Sequence, residues 1–342
     1  MKQKIVLKWQ STSPPHMMDP MYDSAKRINE RTDGQVTVEC YGSGGLVSPF
    51  DVFPAVQSGQ LDIGFTTSGY GKSAALLPRS SAGELPIWPS GEAGCAFTKA
   101  VLDKYIRNDL EALEVTPLFY EINMADDFGL FCPPYVTDLW FNREFASLEE
   151  AKGAKIMTQH WTASEALRLI GMEPVEIPYP EIPTALKNGT IDGALIVCWV
   201  ASVLKFEDLM KCSVRIGFPQ CEDAFTFMNK KVYYSLSEDI QSIITDEIRN
   251  WWRVLDRRLM IKESLEIWDK RIKDGKLKMV ELTPSEKAFC KQQWEITLVD
   301  NWVKHKEAAG LKDAKTYVDD LKKIKADILA SGLPLCQEPP LR

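Results

Sequence analysis

No stretch of this sequence is apolar for the roughly 20 residues that a membrane-spanning helix needs. The most apolar run, Ala194-Leu195-Ile196-Val197-Cys198-Trp199-Val200-Ala201, is far shorter. No stretch is both basic and amphipathic, which argues against a helix lying on a membrane surface. Lys and Arg number 41 against 48 Asp and Glu, a net charge of -7, and they form no basic run. Such a chain is poorly suited to hold a nucleic-acid backbone. The eight cysteines, Cys40, Cys95, Cys132, Cys198, Cys212, Cys221, Cys290 and Cys336, contain no C-x-x-C pair. That disfavours a zinc ribbon or a thioredoxin motif, and their spread is that of small buried hydrophobes, so mostly free thiols are expected.

Enzyme signatures are equally thin. The three histidines, His16, His160 and His305, make no H-E-x-x-H. Gly42-Ser43-Gly44-Gly45 resembles a phosphate loop, but Val47 stands where G-x-G-x-x-G has its last glycine, and no G-K-[ST] occurs. A turn is the better reading. Cys198 or Cys212 could meet His160 only through the fold, since no local pattern pairs them. The opening segment MKQKIVLKWQ has neither an apolar signal region nor a small-residue cleavage site. Two readings stay open: a cytosolic protein, or one whose leader was removed and Met1 supplied for expression.

What is present is an ordinary globular composition, 45% hydrophobic and 26% charged, with ten tryptophans. A length of 342 residues suggests two domains or one large one. Ile5, Leu7 and Trp9 alternate as in a strand. Met18, Met21, Tyr22, Ala25 and Ile28 follow at helical spacing, and Thr32-Asp33-Gly34 stops that helix. A strand over 35–41, a short helix ended by Gly59 and a strand over 61–65 complete a βαβαβ order, the pattern of an α/β fold. Ala55-Val56-Gln57-Ser58-Gly59-Gln60-Leu61-Asp62 is echoed by Ala185-Leu186-Lys187-Asn188-Gly189-Thr190-Ile191-Asp192, a hint of two similar lobes. In the last third an apolar stripe runs from Ile240 to Trp268, long enough for one helix to brace both lobes. Thr283-Pro284-Ser285-Glu286 reads as a capping box.

The order of motifs resembles the DctP-type substrate-binding proteins of tripartite ATP-independent periplasmic (TRAP) transporters. The resemblance is carried by Thr32-Asp33-Gly34-Gln35-Val36, Tyr41-Gly42-Ser43-Gly44-Gly45-Leu46, the segment 55–64, Glu84-Leu85-Pro86-Ile87, the segment 148–156, Gly171-Met172-Glu173-Pro174-Val175 and the segment 180–193. Asn229-Lys230 and Leu236-Ser237 match the stretch before the long helix. It implies a two-lobed clamshell of the type II periplasmic binding class, with residues 1–128 and 223–260 in one lobe and 129–222 and 261–342 in the other. It further implies a periplasmic receptor without catalysis or cofactor, a small organic ligand between the lobes, and delivery to a membrane permease.

The resemblance also shows where this sequence departs. The family usually has an arginine after the Lys-Ile of its "G-x-K-I-R" strand, able to grip a carboxylate with two parallel bonds. Here Met157 follows Lys155-Ile156. The upstream stretch Asp127-Phe128-Gly129-Leu130-Phe131 lacks the second arginine of many members, and Asp192-Gly193 is followed by Ala194-Leu195-Ile196 rather than an amide. A buried carboxylate without a cation is costly. An aromatic or aliphatic, largely neutral ligand is therefore expected in place of a dicarboxylate. Tyr70, Trp88, Phe128, Met157, Trp161, Ile196 and Trp199 are the candidate apolar walls, each with an alternative reading as packed core. His16, Glu121, Asn123, Gln159 and Glu222 are the polar candidates. Glu222 stands where some oxo-acid-binding members use a metal-contacting glutamate; without the partner arginine no metal is expected. A monocarboxylate or 2-oxo acid held by backbone donors, His16 or a cation is the alternative ligand, and an enzyme on the same fold the more distant one.

Overall fold

The computed structural model describes residues 4–12, 18–67, 70, 79, 85–89, 91–122, 125–126, 138–158, 161–177, 179–196, 198–216, 223–254 and 263–334. The chain opens with β1 (Ile5–Ser11), α1 (Asp19–Arg31), β2 (Val36–Tyr41), α2 (Val52–Ser58) and β3 (Ile63–Thr67). Helix α3 (Gly91–Val101) runs through a wider turn over 102–106 into α4 (Arg107–Ala112), and β4 (Val115–Ile122) and the short β5 (Ala125–Asp126) follow. A second series comprises β6 (Asp138–Phe141), β7 (Lys155–Thr158), α5 (Trp161–Leu169), β8 (Glu173–Glu176), α6 (Ile182–Lys187), β9 (Gly193–Ile196), α7 (Cys198–Val203) and β10 (Cys212–Arg215). The chain then gives β11 (Ala224–Asn229), α8 (Lys230–Ser235), α9 (Glu238–Val254), α10 (Glu263–Lys273), β12 (Lys278–Glu281), α11 (Pro284–Gln292), α12 (Val299–Ala308) and α13 (Ala314–Ala330).

These strands form two six-stranded sheets, ordered β2-β1-β3-β11-β4-β5 and β12-β10-β6-β9-β7-β8. Each is largely parallel with one antiparallel strand inside it: β11 runs against β3 and β4, and β6 against β9 and β10. Those two strands are the ones the chain enters on crossing from the other sheet. An antiparallel strand starts at the carboxyl edge of its parallel neighbours. Both strand-to-strand crossings, over 127–137 and 216–223, therefore leave one carboxyl edge and arrive at the other. The third crossing links α9, which packs on α1, to α10, which packs on α7. The stripe read from the sequence as one bracing helix is thus described as two helices, with residues 255–262 outside the described residues.

The internal echo is structural. Gly59 and Gly189 both have left-handed backbone, φ 81° and 70°, which ends the preceding helix. The Gln60 and Leu61 amides donate to the Ala55 carbonyl, as those of Thr190 and Ile191 do to Ala185. Asp62 then accepts from the Lys8 amide at 2.7 Å, and Asp192 from the Lys155 amide at 2.9 Å. Each aspartate thus pins the parallel strand beside the one it precedes, Asp62 at the middle of β1 and Asp192 at the start of β7. This turn also explains why β3 begins two residues later than the sequence suggests: the Leu61 amide is spent on the end of α2.

Apolar residues fill three clusters. Trp9, Met21, Ile28, Phe65, Ile244, Trp251 and Trp252 lie between the first sheet and α1 and α9. Trp140, Met157, Ile196, Val200, Phe206 and Trp268 lie on one face of the second sheet. The largest cluster covers the remaining faces and continues into α11, α12 and α13. Helix α13 packs on α3, with Tyr317 edge-on to Tyr105 at 4.9 Å, so the C-terminal helices touch elements of both sheets. The capping box forms as read, with Thr283 and Glu286 exchanging bonds around Pro284. At the other end, buried Glu247 on α9 clasps α1 through Arg27 at 2.6 Å and Arg31 at 2.9 Å. Burial pushes its carboxyl upward, but the two guanidinium bonds outweigh that and hold it below the ordinary glutamate range. Cys40, Cys95, Cys212 and Cys290 are not joined in disulfides.

Candidate functional site

In open α/β sheets, ligands bind outside the carboxyl ends of the strands. At that edge of the first sheet, register places Thr67, Ala224 and Glu121 side by side. At the corresponding edge of the second, Thr158 lies beside Glu176, and Asp138 beside Ile196. The crossings join these two edges, so the ends of β1, β3, β4, β7 and β9 lie where ligands of open α/β sheets bind.

The sequence-derived candidates divide three ways. His16, Asn123, Phe128, Gln159 and Glu222 lie outside the described residues, as does the side chain of Trp199 on α7. Trp88, Met157 and Ile196 are placed in packed surroundings. Trp88 is 7% exposed, edge-on to Phe97 at 4.4 Å. Met157 and Ile196 are 0% and 1% exposed and share a cluster with Trp140 and Trp268. Trp140 and Trp268 lie 4.4 Å apart, and Trp140 donates its indole N–H to the Ile196 carbonyl at 3.0 Å. Where the resemblance expects an arginine, the second sheet therefore carries an aliphatic side chain set among aromatics.

Tyr70, Glu121 and Trp161 make up the third group. Tyr70 meets Phe50 edge-on at 5.6 Å, and its amide donates to the Thr67 carbonyl. Glu121 is buried and accepts from the indole N–H of Trp252 at 2.6 Å. That bond ties the end of β4 to the last turns of α9, beside two of the crossings. Trp161 is half-buried and stacks on His305, with ring centroids 4.1 Å apart and planes 7° from parallel. Burial, with Lys306 adding to it, keeps the His305 imidazole below its ordinary pKa, so its neutral form is favoured.

Several polar groups at this edge carry little signal in the sequence. The Thr67 hydroxyl is buried without a hydrogen-bond partner among the described residues. Thr158 and Ser164 share a bond of 2.8 Å, and Ser164 donates to Glu176 at 2.8 Å. Sequence reasoning missed all four, because a hydroxyl closing an apolar strand reads equally as a strand end. Asp223, next to Glu222, accepts from the buried Tyr120 hydroxyl at 3.0 Å. Burial, together with the Asp223 charge, pushes that phenol well above its ordinary pKa.

Two other places carry site-like features. In the loop after β2, the amides of Leu46 and Val47 both donate to Gln10 Oε1 at 3.0 Å. Those donors are committed to the protein, which supports the turn reading over phosphate binding. A groove of about 720 Å³ is lined by Arg143, Glu144, Asp208, Lys211, Arg271 and Lys278, among others. It sits at the amino ends of β10 and β12, the edge opposite the crossings. Its buried Arg271 bonds to Asp208 and to the Met210 carbonyl, a structural role in fastening the α10–β12 turn. Among the described residues no group of three or more His, Cys, Asp or Glu could hold a metal ion. No helix among them is long and apolar enough to cross a membrane.

Comparison with known proteins adds family and fold. The profile of the family described as "bacterial extracellular solute-binding protein, family 7" (DctP) matches residues 17–90 and 137–303. A monocarboxylate 2-oxoacid-binding periplasmic protein of Nostoc sp. is 28% identical over 172 residues, covering 50% of this chain and 44% of that protein. The chain spans about half the length of the curated relatives it matches. Among solved structures, a marine metagenome TRAP solute-binding protein specific for aromatic acid ligands, in complex with metahydroxyphenylacetate, aligns with a TM-score of 0.76 at 22% identity, over 95% of this chain and 99% of that one. A TRAP solute-binding protein of Rhodoferax ferrireducens, in complex with copurified benzoate, aligns with a TM-score of 0.72 at 19% identity, over 96% and 99%. These neighbours are two-lobed periplasmic binding proteins, and the two sheets described above are their architecture.

Proposed function

The chain belongs to family 7 of the bacterial extracellular solute-binding proteins (DctP), and from that premise we propose that it is the periplasmic receptor of a TRAP-type transporter for a small aromatic or otherwise largely apolar organic ligand. The single observation that carries the ligand class is position 157. A guanidinium there would pair with a carboxylate; Met157 instead lies fully buried among Trp140, Ala194 and Trp268. The aromatic-acid and benzoate complexes of the structural neighbours support the same class.

In this reading residues 1–128 with 223–260 and residues 129–222 with 261–342 move as two lobes about the three crossings. Ligand selects the closed state, because only there do both carboxyl edges contact it. Tyr70 and Trp161 supply aromatic wall. Thr67, together with His16, Asn123, Gln159 and Glu222, is the source of polar contact for one end of the ligand; Phe128 and Trp199 extend the wall. The closed form delivers its ligand to the membrane permease, and a leader peptide removed on export would place it in the periplasm. The Nostoc relative favours one second reading, a monocarboxylate 2-oxo acid.

Denaturing the purified protein and identifying what it releases by mass spectrometry tests the proposal. An aromatic or long aliphatic compound is expected. Release of a C4 dicarboxylate would overturn the apolar ligand class, and release of a 2-oxo acid with a stoichiometric divalent cation would establish the second reading instead.

A further inference from the structure

We propose that His305, on a C-terminal helix that contributes no strand to either sheet, is a positioning residue for the ligand cleft: its imidazole backs one face of the Trp161 indole and leaves the exposed remainder of the ring to the ligand. The inference rests on the reading of Trp161 as a cleft wall.

Trp161 is the first residue of α5, with only two residues between it and the carboxyl end of β7. A side chain at the first turn of a helix has no preceding turn to lean on. An indole there needs support from elsewhere to hold one orientation. Helix α12 and the turn before it provide it. Trp294 donates its indole N–H to the Ala166 carbonyl at 3.2 Å, and Asn301 donates to Glu165 Oε1 at 2.8 Å. His305 then stacks on Trp161. As the numbers rise along the C-terminal segment they fall along α5, so the two run antiparallel. Asn301 and His305 share a helix face, as do Trp161 and Glu165, because both pairs are four residues apart.

His305 is therefore the point at which this zipper reaches the cleft end of α5. The near-parallel stack covers one indole face, whereas Trp161 as a whole keeps partial exposure. The Trp161 indole N–H makes no hydrogen bond among the described residues; its inner side packs against the large apolar cluster and the His305 stack holds the ring plane, so no polar anchor sets it. A ring fixed in advance loses less freedom when ligand arrives, which raises affinity without any new contact.

The test uses the 342-residue chain and four variants, Trp161→Ala, His305→Ala, His305→Leu and His305→Phe, each checked for folding by its unfolding midpoint. Two readouts are taken. The indole N–H resonance of Trp161 in a nitrogen-15 spectrum, assigned by its loss in Trp161→Ala, reports ring order without ligand. Affinity for benzoate reports the consequence. His305→Ala and His305→Leu should shift and broaden the resonance and weaken benzoate binding about fivefold, the worth of one aromatic stack. His305→Phe should restore both. An unchanged resonance in His305→Leu would overturn the proposal whether or not benzoate binds, and so would a loss of affinity that His305→Phe fails to restore. Unchanged benzoate affinity in Trp161→Ala would overturn the wall reading beneath it, a failure separate from that of the stack.

Discussion

Gly193→Ala is expected to lower the stability of the protein by about 3 kcal/mol or more, the upper range for overpacking a closed site. A Cβ on Gly193 would lie 2.3 Å from the Trp140 carbonyl oxygen and 3.0 Å from the Phe141 ring. Gly193 opens β9 directly opposite Phe141 of β6, the antiparallel strand at the heart of the second sheet. Backbone cannot rotate out of the way as a flexible side chain could, so the two strands must separate. The damage would spread to the Asp192 anchor on β7 and to the Trp140–Ile196 bond. Gly189→Ala, only four residues earlier, is the control. Its Cβ would meet nothing within 4 Å, and the cost is that of a left-handed backbone alone, about 1 kcal/mol. Denaturant unfolding of both variants checks this. A Gly193→Ala protein as stable as Gly189→Ala would mean that the strands are not this close.

Benzoate should raise the unfolding temperature, and succinate should not. A ligand at a thousand times its dissociation constant adds about 4 kcal/mol to a protein that binds it only when folded. For a chain of this size that corresponds to a rise of about 6 °C. Binding and folding are linked because the cleft exists only when both sheets are folded. Succinate brings a second carboxylate, and position 157, where an arginine would pair with it, holds a buried Met157 and supplies no cation. Its burial would cost more than an apolar contact returns. A scan in which succinate shifts the midpoint as far as benzoate would remove the distinction.

Much of the fold is legible in the amino-acid sequence, because its signals are local. The echo of Gly59 and Asp62 in Gly189 and Asp192 encodes a helix end and a strand anchor within a few residues, and both form twice with the same bonds. The box at Thr283 and Glu286 is equally self-contained. The stripe from Ile240 to Trp268 is harder. Periodicity shows that one face is apolar, but not which sheet each part faces. Here its first part packs on α1 and its last on α7.

The site is less legible for the same reason. An aromatic residue at a strand end looks alike in sequence whether it meets a ligand or a neighbouring helix. Trp88 meets Phe97, and Trp161 meets His305, a partner on the far side of the sequence. Met157 stands out only through the family resemblance, which supplies the arginine it replaces. Composition points at tryptophan without distinguishing among ten of them. Packing separates Trp251 and Trp252, which pack against Phe65 beneath the first sheet, from Trp161 at the edge where the crossings meet.

In the proposed function, the cleft between the two sheets takes an aromatic or apolar organic ligand without a cationic anchor at position 157. Titration calorimetry of the ligand-free protein with benzoate and with succinate, each with and without EDTA, decides whether it does. Saturable binding of one benzoate per chain is predicted, unchanged by the chelator, with succinate bound at least about tenfold more weakly, the smallest gap that the loss of one charged contact leaves. Tighter binding of succinate, or loss of all binding in EDTA, would contradict it.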